Sequence, residues 1–299
     1  MTNFLKSTIL TSSPSAVLVG RIWTKCGPSI ITRHNNNIVD ITTKHFPTVS
    51  SLLNTNNPIA IVKELADTPK STVLGTVDEV LSDNNTLQLL SPFDLQAHKA
   101  CGVTFAKSML ERVIEEHAGG DRRKADDFRK DIMKVGWGDI GSIEPGSTES
   151  DELRAYLKEI GLWSQYLEVG LGPDAEVFTK CQPMSSVGSG SEIGIHSCSD
   201  WNNPEPELVL AVNSTGTIVG ATLGNDVNLR DVEGRSALLL GKAKDNNASC
   251  SIGPMIRLLD DERKDQEGTF TLSTLSSMNI SLNIYGKSDQ FHLSDSSSL

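Results

Sequence analysis

The chain has 299 residues, 37% of them hydrophobic and 22% charged, enough for a sizeable core but with no apolar run long enough to span a bilayer. A formal net charge of −11 argues against nucleic acid or an acidic membrane surface as the main partner. The five cysteines, Cys26, Cys101, Cys181, Cys198 and Cys250, are widely spaced and form no C-x-x-C pair, a pattern of reduced thiols and not of a disulfide framework or a zinc site.

The first residues, MTNFLKSTILTSSPSAVLVGR, are rich in Ser and Thr and free of acids. A cytoplasmic location is expected, with mitochondrial import as the alternative. Residues 16–41 alternate apolar stretches with turn residues, which predicts a small β-region with the NNN tract at a hairpin tip. TVSSLLNTNNPIAIVKELA predicts one or two short helices, followed by a strand-like STVLGTVDEVL. These elements make residues 1–97 a small N-terminal α/β region.

From about residue 106 the period changes. AKSMLERVIEEHAGG, DRRKADDFRKDIMKVG and STESDELRAYLKEIG read as three helices. A glycine-rich half follows, with predicted strands in EVFTK, GSEIGI, PELVLAVN, GTIVGATLG and SIGPMIRL. Little between these strands is long enough for a crossover helix, so the expected fold is α+β with a mostly β catalytic half. The tail, SLNIYGKSDQFHLSDSSSL, is polar and predicts disorder over residues 282–299.

The stretch NNPEPELVL places Glu205 and Glu207 two apart at the start of a predicted strand. Alternate residues of a strand face the same way, so the two carboxylates converge, and their repulsion calls for solvent or a cation. The hairpin through NSTGT returns along IVGATLGND and delivers Asp226 close to them. Three carboxylates without cysteine or paired histidine suit a hard cation such as Mg²⁺ or Mn²⁺, whereas acids near turns are otherwise usually solvated.

At these residues the sequence resembles the fumarylacetoacetate hydrolase superfamily. The E-x-E strand, the turn NDVNLRD and the later LLLGKAKDNNASCSIGPMI carry the resemblance, which covers roughly residues 98–281. It implies a β-roll-like catalytic domain over 98–281, with a divalent cation held by Glu205, Glu207 and Asp226. Lys244, in GKAKDNNASC, stands where the superfamily has a lysine that reaches the substrate's keto oxygen or carboxylate, with Lys242 as the competing assignment. Relatives run on past the SSMNIS-like segment, so an apparently shortened C-terminus is expected, and with it an inactive or incomplete chain as one alternative. The relatives' usual dimers or higher assemblies imply a homo-oligomer.

Hydrolytic members carry a His and a Glu three residues apart after the G-V-x-Y/F turn. In GVTFAKSMLERV the Glu is Glu111, but Ser108 holds the place of the histidine, and a hydroxyl is no neutral-pH base. Ser108 and Glu111 also have capping-box spacing, and His98 or His117 would have to supply the missing imidazole. The departure points away from a carbon–carbon hydrolase of 2,4-diketo acids, the rival reading. It points toward the superfamily's 2-keto-3-deoxy sugar acid dehydratases, which share the strand matched here by Glu176 and Lys180. The resemblance thus implies a small 2-keto acid as substrate, with Glu176 as proton carrier, Lys244 as electrophilic partner, and Thr104 and Lys180 as substrate contacts. Arg230 and Asp231 read first as an ion pair fixing the turn.

Overall fold

The computed structural model describes residues 13–82, 87–102, 114, 118–127, 143–159, 163, 167–261 and 269–298. Thr104, Ser108, Glu111 and His117 lie outside these described residues. Three antiparallel strands open the chain, β1 (Leu18–Thr24), β2 (Gly27–His34) and β3 (Asn37–Asp40). The NNN tract makes the expected hairpin tip. His34 pairs with Asn37, and Asn35 takes φ 55°, a left-handed conformation that asparagine tolerates better than most residues.

Two helices follow, α1 (Val49–Leu53) and α2 (Pro58–Asp67), capped by Thr48 and Asn57, whose side chains accept from Ser51 N and Ala60 N. β4 (Thr72–Thr76) pairs with β3. Its predicted continuation through VDEVL is instead a single helical turn, α3 (Val77–Val80). Thr76 Oγ1 accepts from Glu79 N while the Glu79 carboxylate accepts from Thr76 N, and this capping box diverts the backbone from the sheet.

Further along the described chain come β5 (Gln88–Leu90), β6 (His98–Cys101), β7 (Val177–Cys181), β8 (Asn202–Asn203), β9 (Pro206–Val212), β10 (Ile218–Asp226), β11 (Asn228–Leu229) and β12 (Cys250–Leu258). The main sheet runs β4-β3-β2-β1-β12-β10-β9, with β5 also on β1, and its pairings are antiparallel. This is the mostly β, α+β architecture expected. GSEIGI forms no strand. It packs as a loop whose Gly194 N donates to Ala248 O.

Alternation along β1 and β12 feeds two cores. Val17 and Val19 join Ala211, Cys250, Ile252 and Ile256 on one side, while Leu18 and Ile22 join Met255 on the other. The N-terminal strands therefore share a sheet and a core cluster with β9, β10 and β12. The tail also departs from expectation. Residues expected to be disordered form β13 (Asn279–Tyr285) and β14 (His292–Ser298), a hairpin in continuous register. Ile280, Leu282 and Ile284 face one half-buried side between exposed Asn279, Ser281 and Asn283, a period-two pattern masked by the polar composition. The Tyr285 and His292 rings stack with centroids 4.5 Å apart. Among the described residues no helix is long and apolar enough to cross a membrane.

A buried polar clamp fixes the segment leading into β6. Arg21 Nη1 donates to Ser91 O at 3.1 Å and Phe93 O at 2.8 Å, and its Nε lies 3.8 Å from Asp94 Oδ2. Burial lowers the Arg21 pKa, with Asp94 opposing the shift. Asp94 in turn accepts from Val49 N, Ser50 N, Ser50 Oγ and Leu95 N, so it caps α1 as well. Asp94→Ala strands these donors and the buried guanidinium, and is expected to cost about 3 kcal/mol in denaturant unfolding. An exposed control, Asp67→Ala, should stay within about 0.5 kcal/mol of the parent.

Candidate metal centre and active site

β9 and β10 build the centre by antiparallel pairing. Glu207 lies opposite Gly224, Pro206 opposite Asn225, and just beyond the ladder Asp226 N donates to Glu205 O at 2.8 Å. Glycine is needed at 224 because a Cβ there would collide with Val209. One carboxylate oxygen from each of Glu205, Glu207 and Asp226 lies within 4.8 Å of the others. The three acids singled out by spacing are thus brought together.

Two lysines enter this cluster from opposite directions. Lys244 ends α7 (Leu240–Lys244), which follows α4 (Thr148–Glu159), α5 (Leu167–Leu171) and the short α6 (Arg230–Glu233). The Lys244 Nζ donates to Glu205 Oε2 and lies 3.0 Å from Asp226 Oδ2. Because the segment is helical and not extended, Lys242 and Lys244 do not share a face as alternate strand residues would. Lys244 is fully buried and Lys242 exposed, which settles which lysine reaches the cluster. Burial alone would lower the Lys244 pKa, but Glu205 and Asp226 outweigh it and hold the ammonium charged.

Lys180 comes from β7. Its buried Nζ donates to Val227 O at 2.8 Å, Lys244 O at 2.6 Å and Ser249 Oγ at 3.2 Å, and lies 3.0 Å from Asp226 Oδ1. These contacts hold Asp226 and the end of α7, and Lys180 also lines the cavity described below. Phe178 is two residues earlier on the same face, its ring centroid 5.3 Å from Lys244 Nζ. Glu176 precedes β7 and continues that alternation, and its carboxylate packs so closely on Gly102 that a Cβ there would strike it. Glu176 is not among the residues lining the cavity described below.

Further polar groups were not picked out by spacing. Asn228 Nδ2 donates to Glu205 Oε1 at 3.1 Å and to buried Glu233. Arg230 lies 3.7 Å from Glu205 Oε1 and 3.4 Å from Glu233 Oε2. The expected Arg230–Asp231 pair is replaced by these contacts, and Asp231 accepts from Ser199 Oγ and Asp200 N. Arg230 and Glu233 stand three apart on α6, where helical spacing turns neighbours in sequence to different sides.

Glu207 is the exception. Among the described residues it has no recorded hydrogen bond or ion pair. Burial, with Asp226 and Glu205 adding repulsion, pushes its pKa up to about 7. Asp226 is also raised, by burial first, with Lys244 opposing. A half-buried, unpartnered carboxylate beside two others is a donor set suited to a hard divalent cation.

A cavity of about 240 Å³ opens on this cluster. Glu207, Asp226, Lys180 and Asn225 line one side, His98 and Lys99 of β6 line another, and Cys250, Ile252 and Val209 are apolar wall. His98 is buried, lies 3.4 Å from Ser186 Oγ through Nε2, and meets the Phe93 ring edge-on.

No family model matches the chain. It is 37% identical over 122 residues to the probable 2-keto-3-deoxyxylonate dehydratase of Haloferax volcanii, a match covering 41% of this chain and 42% of that protein. It is 37% identical over 97 residues to 2-dehydro-3-deoxy-D-arabinonate dehydratase of Saccharolobus solfataricus, covering 32% and 33%. Both matches span less than half of the curated relatives' length. Among solved structures, 2-keto-3-deoxy-D-arabinonate dehydratase complexed with magnesium and 2,5-dioxopentanoate superposes with a TM-score of 0.58 at 17% identity, over 94% of this chain and 76% of that one. The fold is therefore the one that dehydratase has. The expected resemblance to 2-keto-3-deoxy sugar acid dehydratases is borne out by the two curated relatives, and the solved dehydratase structure shares the fold.

Proposed function

We propose that the chain is a divalent-cation-dependent dehydratase of a 2-keto-3-deoxy sugar acid. The convergence of Glu205, Glu207 and Asp226, with Glu207 unpartnered among the described residues, carries this reading. The three carboxylates would hold Mg²⁺ or Mn²⁺. Once bound, such an ion polarises the 2-keto carboxylate and stabilises the negative charge that develops when a C3 proton leaves.

The chain's own groups do the rest. Lys244 is the proposed electrophilic partner, and its charged ammonium, donated to Glu205 and Asp226, supports a role in meeting the negative charge that develops on the keto oxygen. Lys180 keeps Asp226 and the α7 terminus in place. Glu176 takes the C3 proton and returns it to the departing C4 hydroxyl, so that water leaves and no carbon–carbon bond breaks. Its position beside Gly102, the first residue of the sequence GVTF, supports this role, and Thr104 of that sequence is the proposed substrate contact. The apolar wall of Cys250, Ile252 and Val209 keeps bulk water from the enolate.

We place the enzyme in the cytoplasm as a homo-oligomer. β9 ends the sheet order and exposes Leu210 and Val212, which supports self-association. Light scattering should return a mass of two chains or more.

The pKa of Glu207 sets a pH signature. Without cation, folding raises this pKa from the usual carboxylate value to about 7. The folded state then binds more protons than the unfolded one, so this group's contribution to stability falls as pH rises through that window. A cation removes the penalty. Mg²⁺ should therefore raise the melting temperature at pH 8 and have little effect at pH 5.5, with the change centred near pH 7.

Incubation of 2-keto-3-deoxypentonate in D₂O with the chain and Mg²⁺ tests the mechanism. The account expects one of the two C3 protons to be lost as water leaves, stopped by a chelator and by Glu176→Gln. Retention of both C3 protons while substrate is consumed would exclude enolate formation.

A further inference from the structure

The cavity wall contains chemistry that dehydration does not use. Cys181 and Cys250 are both free, buried at 0% and 5% exposure, and members of one core cluster. Their side chains are in hydrogen-bonding contact with each other, and Cys181 also meets His98, its partner in the β6–β7 register. The residues that precede them in the chain are also in contact. Cys181 follows Lys180 and Cys250 follows Ser249, and Lys180 Nζ reaches Ser249 Oγ at 3.2 Å. The other cysteines, Cys26, Cys101 and Cys198, are exposed.

The two thiols differ in access. Cys250 lines the cavity, whereas Cys181 lies behind it. A small oxidant entering the cavity meets Cys250 first. Cys250 is also the register partner of Asp226, and Cys181 adjoins the lysine that holds Asp226. A covalent link between them would therefore join the two elements that fix this carboxylate.

We propose that Cys181 and Cys250 form a reversible dithiol–disulfide pair, oxidised by peroxide through the cavity, that weakens cation binding at the neighbouring carboxylates. In the first step the Cys250 thiol gives its proton to the Cys181 sulfur it contacts, and the Cys250 sulfur attacks hydrogen peroxide. The O–O bond breaks, one water leaves, and a sulfenic acid remains. The Cys181 sulfur then attacks that sulfur. The S–O bond breaks, a second water leaves, and the disulfide forms, so two thiols are oxidised and one peroxide is reduced to two waters. A dithiol reductant reverses the link by exchange.

The test uses the full chain, reduced and then treated with stoichiometric hydrogen peroxide. Mass spectrometry of its peptides should find Cys181 and Cys250 joined, with a loss of two hydrogens that a dithiol restores. Cys181→Ser should abolish the link and leave a sulfenic acid at Cys250 that a dimedone probe captures. Mn²⁺ titration of the linked chain should give an affinity about tenfold weaker than that of the reduced chain. Both thiols remaining free, or Cys250 passing to sulfinic acid while Cys181 stays reduced, would overturn the pair. Equal Mn²⁺ affinity in the linked and reduced chains would overturn its coupling to the carboxylates. The peptide readout needs no turnover, so it stands or falls apart from the dehydratase reading.

Discussion

Glu207→Gln is expected to weaken Mg²⁺ or Mn²⁺ binding by about 100-fold or more and to abolish dehydration, while leaving the cation-free protein at least as stable above pH 7. The loss follows from removing one of three anionic donors around a hard cation. The stability effect follows from what Glu207 lacks. Among the described residues it has no hydrogen-bond or ion-pair partner, and it is half-buried and pushed up to about 7 by burial and by its acidic neighbours. An amide of the same shape removes that repulsion. Calorimetric titration and thermal melts of the same samples separate the two effects. A variant that loses stability while keeping its affinity would show Glu207 to be structural.

Lys244→Met should produce the opposite signature. Lys244 is fully buried, and its ammonium neutralises Glu205 and Asp226. Without it those carboxylates are buried with less positive charge, and the cation-free protein should lose about 3 kcal/mol in denaturant unfolding at pH 8. Added Mg²⁺ should recover more of that loss than it adds to the parent, because the ion replaces part of the missing charge. Turnover should remain absent even at saturating Mg²⁺. Lys242→Met, two residues earlier and exposed, should change stability by no more than about 0.5 kcal/mol and leave turnover intact.

Much of this site was legible in the sequence because strand periodicity is short and local. Glu205, Glu207 and the NSTGT hairpin together bring Asp226 into place, with the pairing of Glu207 and Gly224 as predicted by an antiparallel return. The lysines were harder. Extended backbone would put Lys242 and Lys244 on one face and leave both as candidates, but the segment is helical and only Lys244 is buried. The role of Lys180 depends on oxygens at Val227, Lys244 and Ser249, each more than forty positions away in the chain. No local pattern encodes such contacts.

The same limit explains Arg230. Its neighbour in sequence, Asp231, is a natural ion-pair candidate, yet α6 directs the two apart and gives Arg230 to Glu205 and Glu233. In the tail, composition misled where periodicity would have served. Serines and asparagines suggested disorder, but Ile280, Leu282 and Ile284 recur at every second position and make β13. Helix propensity was likewise underestimated at VDEVL, where one Thr76–Glu79 capping box outweighs a β-branched composition.

Mass spectrometry of products tests the central claim most directly. The purified chain would be incubated with Mg²⁺ and a panel of 2-keto-3-deoxypentonates and 2,4-diketo acids. The account predicts that a deoxy acid loses one water with all its carbons kept in one molecule, and that Glu207→Gln stops this. Two carbon fragments from a diketo acid, with every deoxy acid unchanged, would contradict it and make the same carboxylate centre a hydrolase.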